Sequence, residues 1–168
     1  MDRIRERRLF NDYERLRGLA DAGRLFSFQA FGNPPEWYRF AFDCFTCIKP
    51  GQEAVQRGRG CRVEVYLPRG YPRQDPPLSF LCHPTAIWHP NVQTGGGALC
   101  PGRFVPGLFL DAFAFRLYHI LTFRNFTMDE TQSLNPAAAA WCRYAVEEGW
   151  FPTDIRPLAE LPPEGAFE

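Results

Sequence analysis

Cys100 lies nine residues beyond Asn91, and the intervening stretch carries three successive glycines, Gly95-Gly96-Gly97. Glycine adopts positive φ without steric cost, so this stretch can fold tightly and bring Asn91 against Cys100. A thiol beside a fixed side-chain amide suits acyl transfer: the sulfur attacks or carries a carbonyl, and the amide N–H stabilises the developing oxyanion. Asn91 has a second reading, in which it ties down the loop through backbone hydrogen bonds. Other chemistries use the same residues. Cys100 with His83, His89 or His119 would make a Cys–His hydrolase. His83, His89 and Cys100 would make a three-ligand zinc set, though at no standard spacing. Cys44-Phe45-Thr46-Cys47 is a CxxC, but in a strand an odd separation sends the two thiols to opposite faces. No second CxxC completes a zinc site. Cys100 is followed by Pro101-Gly102 rather than by a helix that would lower its pKa.

These residues need a fold to hold them, and the composition supplies one. The chain has 168 residues, 45% of them apolar and 15% aromatic, enough for one domain with a filled core and far from a disordered composition. Lys and Arg number 19 and Asp and Glu number 19, so no global field draws nucleic acid or an anionic membrane. The longest apolar stretch, 107–123, is broken by Asp111, Arg116 and His119, and the charged N-terminal decapeptide has no apolar centre. Six cysteines are too few for a disulfide scaffold in a chain of this length. They point to free thiols in a reducing compartment, and so to the cytoplasm.

Ile4, Leu9, Tyr13, Leu16 and Ala20 recur near helical spacing, and Gly23 offers a stop. Arg3, Arg5, Arg7, Arg8, Arg15 and Arg17 make the outer face of that helix basic, either as a solvated surface or as a dock for an acidic partner. Strands are expected over 25–31, 37–48, 61–67 and 78–82, with a turn at Gly32-Asn33-Pro34-Pro35 and a Gly/Arg-rich loop over 50–60. Short links between them predict a four-stranded antiparallel meander. A long structured loop, 83–107, carries the cysteine. Asp111 is expected to cap a buried helix over 112–123, and Asn135-Pro136 to open a last helix running to about 148. Residues 1–150 thus form an α+β domain, followed over 151–168 by a Pro-rich acidic arm.

Tyr71-Pro72, Pro76-Pro77, Phe80, His89-Pro90-Asn91, Cys100, Phe104-Val105-Pro106 and Leu134-Asn135-Pro136-Ala137, in that order, resemble the ubiquitin-conjugating (E2) enzymes. The resemblance is closest over 61–145 and implies the ubiquitin-conjugating (UBC) fold. It implies that Cys100 accepts a ubiquitin-like protein as a thioester from an E1-like activating enzyme and passes it to an amine of a target protein. It also implies that Asn91 stabilises the oxyanion or holds the loop, that His89 and Pro90 shape the loop, and that Arg3, Arg5, Arg7 and Arg8 meet the E1. No cofactor is implied on this chain, because the E1 partner uses the ATP.

The sequence departs from the family in several places. The interval from Asn91 to Cys100 is one residue longer than usual, and that from Cys100 to Phe104 is shorter. Phe104 replaces a common Trp, and Arg73 replaces an apolar E3-contacting side chain, which leaves E3 use open. Gln132 stands where many members carry an acid; Asp129 and Glu130 are the nearest carboxylates. The divergence is similar to prokaryotic E2-like proteins encoded beside E1-like, ubiquitin-like and peptidase partners, often in antiphage defence operons. A non-catalytic scaffold binding the same partners, and a cysteine hydrolase of ubiquitin-like conjugates, are the alternatives.

Overall fold

Phe26, Tyr38, Phe40, Phe42, Val63, Val65 and Leu81 alternate with polar or half-exposed neighbours along their strands, and all seven are buried. That period places them on one face of a sheet. The computed structural model describes residues 3–160 and 162–166; Met1 and Asp2 of the expected domain, and Leu161, Phe167 and Glu168 of the expected arm, lie outside the described residues. The chain runs α1 (Arg3–Ala22), β1 (Phe26–Gly32), β2 (Pro35–Ile48), β3 (Gln56–Tyr66), β4 (Leu78–His83), β5 (Gly97–Ala98), α2 (Leu110–Leu121) and α3 (Pro136–Glu147). The strands pair antiparallel in sequence order, β1-β2-β3-β4-β5. Leu9, Leu16 and Leu19 of α1 and Leu110, Phe113, Leu117 and Leu121 of α2 join the sheet residues in one core. No helix among the described residues is long and apolar enough to cross a membrane.

The α+β class and the order of elements follow the sequence reading, with three corrections. The sheet has five strands: two residues of the expected cysteine loop, Gly97 and Ala98, pair with Leu81 and Phe80. β3 begins at Gln56, inside the expected loop. Its Gly58 packs against Ile48, where a Cβ would come within 2.7 Å of Cγ2. Gly60, at φ 83°, lies opposite an irregularity in the pairing between Phe42 and Phe45. Glycine there marks a bulged strand rather than a loop. α2 starts at Leu110 with Phe109 as its N-cap, while Asp111 is buried and paired with Arg15 at 2.9 Å. The Asn135 cap forms as its sequence suggests, with its side chain accepting from the Ala138 N–H at 3.1 Å.

One buried carboxylate joins three elements. Asp12, fully buried on α1, accepts from Arg8 Nε at 2.8 Å, the Tyr71 hydroxyl at 2.8 Å and the Leu110 N–H at 3.0 Å. Arg8 also donates to the Leu108 carbonyl at 2.6 Å and covers the Phe109 ring. Beyond α3 the described chain has no further helix or strand, but it packs back onto the fold. Thr153 bonds the Thr122 and Phe45 carbonyls, buried Asp154 accepts from the Phe45 N–H, and Leu158 is buried. Gly23 is needed for that approach, because a Cβ would stand 2.5 Å from the Leu158 carbonyl oxygen.

Candidate functional site

The glycine-rich interval closes as a tight hairpin. Gln93 N–H bonds the Ala98 carbonyl at 2.9 Å and Gly96 N–H bonds the Gln93 carbonyl at 3.0 Å, while Gly95, Gly96 and Gly97 take φ of 82°, 86° and 111°. L-residues rarely adopt that region, so the triple glycine is what lets the chain reverse here. Val92 pairs with Leu99, and both are buried. Ser79 of β4 anchors the returning strand, accepting the Leu99 N–H at 3.0 Å and donating its hydroxyl to the Leu99 carbonyl at 2.9 Å. The next residue, Cys100, is exposed.

Asn91 and Cys100 are held together reciprocally. Cys100 N–H donates to the Asn91 carbonyl at 2.8 Å, and Asn91 Nδ2 donates to the Cys100 carbonyl at 3.3 Å. Asn91 Oδ1 also accepts the Thr127 N–H at 3.4 Å, which ties the segment after α2 to the hairpin. The buried Pro90 does the same through its carbonyl, which accepts from Leu134 N–H at 2.8 Å and Asn135 N–H at 3.3 Å.

His89 lies beneath this pair, fully buried. Its Nδ1 accepts the Asn91 N–H at 3.0 Å, so Nε2 carries the proton and donates to the Ile120 carbonyl at 2.7 Å. Both ring nitrogens are thereby committed, and neither serves as a base for Cys100 or as a metal ligand. Burial pushes the His89 pKa down to about 4, the Ile120 bond only partly opposing it. A protonated imidazole would also set Nδ1–H against the Asn91 N–H. Between the unfolded value near 6.5 and the folded value near 4, the unfolded chain binds the extra proton, so acid favours unfolding. His89 should contribute up to about 3 kcal/mol that is complete above the unfolded value and gone below the folded one. The urea midpoint should fall across that window, and His89→Gln should flatten its share of the slope. An unchanged slope would mean that His89 already titrates normally.

The two carboxylates lie on the segment that Asn91 tethers, each with partners of its own. Asp129 Oδ1 accepts from Thr131 N–H at 2.9 Å and Oγ1 at 2.7 Å, and these bonds hold its pKa below the usual range. Glu130 pairs with Arg143 of α3 at 2.7 Å. The four arginines of α1 divide by face. Arg3 and Arg7 are exposed, whereas Arg5 and Arg8 have side chains only 13% exposed. Arg5 pairs with Glu36 and reaches the Leu67 and Pro68 carbonyls. Of the CxxC thiols, Cys44 lies in the main core with Cys61 and Cys47 in a second cluster with Cys142.

Sequence reading missed a basic wall beside the cysteine. Pro101, Gly102 and Arg103 line a cleft of about 520 Å³ together with Arg116, His119, Arg124, Asn125 and Ala166. Arg116 and His119 stand three apart on α2, a spacing that puts them on one face, but only folding brings Arg103 opposite. The chain matches no protein-family model and no curated protein sequence.

Proposed function

We propose that the protein is an E2-like transferase of the UBC type. It accepts a ubiquitin-like protein from an E1-like enzyme as a Cys100 thioester and passes it to a lysine of a target protein. One observation carries this reading: an exposed cysteine is bonded reciprocally, through its backbone N–H and carbonyl, to Asn91 on a hairpin anchored to the sheet. In loading, Cys100 sulfur attacks the thioester carbonyl on the E1. The new C–S bond forms, the E1 sulfur leaves, and that sulfur takes the proton Cys100 gave up. In discharge the lysine nitrogen forms the C–N bond, Cys100 sulfur departs, and the amine's proton ends on the freed thiolate. Each step passes through a tetrahedral oxyanion. Asn91 Nδ2 carries two hydrogens; the Cys100 carbonyl takes one, and the other can stabilise the oxyanion.

A lysine amine has a reference pKa of about 10.4 and must be neutral to attack. Asp129 suits the orienting role better than Glu130, because the Thr131 bonds use only Oδ1 while Arg143 engages Glu130. Arg3 and Arg7 are the α1 arginines exposed for the E1.

The test is to incubate the full chain with its E1-like partner, the ubiquitin-like protein and ATP, then separate the products on a non-reducing gel. A thiol-sensitive adduct is expected. Partner binding without any adduct would instead support the scaffold reading, which the existing Asn91 bonds to the Cys100 carbonyl and Thr127 favour. Asn91→Ala discriminates further. Discharge to lysine should slow by about 10²–10³-fold, the cost of losing one oxyanion donor. Stability should fall by only about 1 kcal/mol, the worth of ordinary hydrogen bonds. Unchanged discharge with that same stability loss would leave Asn91 as a loop tie.

A further inference from the structure

The chain leaves Cys100 through Pro101-Gly102-Arg103, and those three residues form one wall of the 520 Å³ cleft; the end of α2 and the turn after it form the other. By chain length alone Arg103 lies within about 11 Å of Cys100. No Asp or Glu among the described residues lines the cleft. Arg124 is fixed by the carbonyls of Asp154 at 2.8 Å and Arg156 at 3.2 Å, which orient the guanidinium without cancelling its charge. Arg116 donates to the carbonyls of Arg103, Gly165 and Ala166 at 3.2–3.4 Å, so it ties α2 to the loop that follows Cys100. His119 between them is held neutral, its pKa brought down to about 4 by burial and by the charge of Arg124. The Arg124 guanidinium, oriented by neutral carbonyls, and the exposed Arg103 side chain focus positive potential on whatever enters this concave site.

We infer that this cleft selects the acyl donor by charge, taking an extended C-terminal tail with Asp or Glu within the four residues before its terminal glycine. The inference rests on the acyl-carrier reading of Cys100. A donor whose terminal carbonyl is bonded to the sulfur must lead its preceding residues across the adjoining surface. Four extended residues span about 13 Å, comparable with the reach from Cys100 to Arg103. A basic tail would meet Arg103 and Arg124 as like charges. Arg103 is the adjustable member of the set: its side chain is exposed, and its carbonyl rather than its guanidinium holds Arg116.

Short peptide thioesters ending in glycine, with Glu, Ser or Arg at the third and fourth residues from the end, test this without an E1. Their transfer to the intact protein is followed by mass, with Cys100→Ala confirming the site. The Glu peptide should load about tenfold faster than the Arg peptide at low salt, equivalent to ~1.4 kcal/mol. The difference should collapse near 1 M salt, where screening acts over about 3 Å. Arg103→Glu should remove most of the preference. A second readout is the fluorescence anisotropy of labelled, unreactive versions of the same peptides on Cys100→Ala, where the Glu peptide should bind best and Arg103→Glu should abolish the advantage.

Equal loading and equal binding of all three peptides, unaffected by Arg103→Glu, would overturn the charge inference and leave Cys100 as an acyl carrier. Charge-blind loading combined with faster discharge to lysine peptides flanked by acids would assign the cleft to the acceptor and also overturn it. Failure of every peptide to load, together with no adduct in the E1 reaction, would remove the carrier reading and this inference with it.

Discussion

Cys100→Ala should abolish the thiol-sensitive adduct completely, and Cys100→Ser should yield a smaller amount of a reductant-stable adduct. Alanine removes the sulfur proposed to hold the acyl group. Serine offers a poorer nucleophile but forms an oxygen ester that thiols do not exchange. Neither change should shift folding stability beyond about 0.5 kcal/mol, because the side chain is exposed and only the Cys100 backbone is bonded in the hairpin. The other cysteines give the control. Cys44, Cys47, Cys61 and Cys142 are buried, and burial pushes the Cys47 and Cys142 thiols up to about 12. Cys82 is exposed on β4. Cys82→Ala should therefore keep the adduct. Loss of the adduct there, with retention in Cys100→Ala, would move the acyl carrier to the outer sheet face.

Asp12→Ala should cost the fold about 3–5 kcal/mol, the usual penalty for breaking a buried ion pair by removing one partner. Arg8 would be left mostly buried without its counter-charge, and the Tyr71 hydroxyl and Leu110 N–H would lose an acceptor. Burial, opposed by Arg8 and the hydrogen bonds, raises the Asp12 pKa above its ordinary value. The folded state thus tolerates a neutral group at this position better than the bare shortage of charge suggests. Asp12→Asn, which keeps shape and one acceptor oxygen, should consequently cost distinctly less than Asp12→Ala. Urea unfolding measures both. Equal losses, or a loss below about 1 kcal/mol for alanine, would mean that Asp12 does not join α1, the Tyr71 loop and the start of α2. The Cys100 hairpin, anchored through Ser79 and through Ile120 at the far end of α2, should survive in the folded fraction.

Much of the architecture was legible because local signals agreed with the global ones. The alternation in β2 and the Asn135-Pro136 cap specify their elements with little help from distant residues. Other positions misled for a shared reason: polar or glycine-rich local chemistry was answered by a partner far along the chain. Gln56–Gly60 became strand because the end of β2 lay beside it. Gly97 and Ala98 became β5 because the free edge of β4 needed pairing. Asp111 reads as a cap but pairs with Arg15, ninety-six residues away. The arginines of α1 look alike in sequence, yet the turn of the helix sends Arg5 and Arg8 inward and leaves Arg3 and Arg7 outward.

The types and spacing of Asn91, the three glycines and Cys100 determine by themselves that Cys100 can return to Asn91, because chain reversal at positive φ is a local property of glycine. Tertiary structure alone decided that His89 would be a buried, neutral support, that both carboxylates would be bonded to neighbours, and that Arg103, Arg116 and Arg124 would line one cleft with the residues that follow Cys100. Burial and charge fields depend on which surfaces meet, and those surfaces come from residues that the sequence holds far apart.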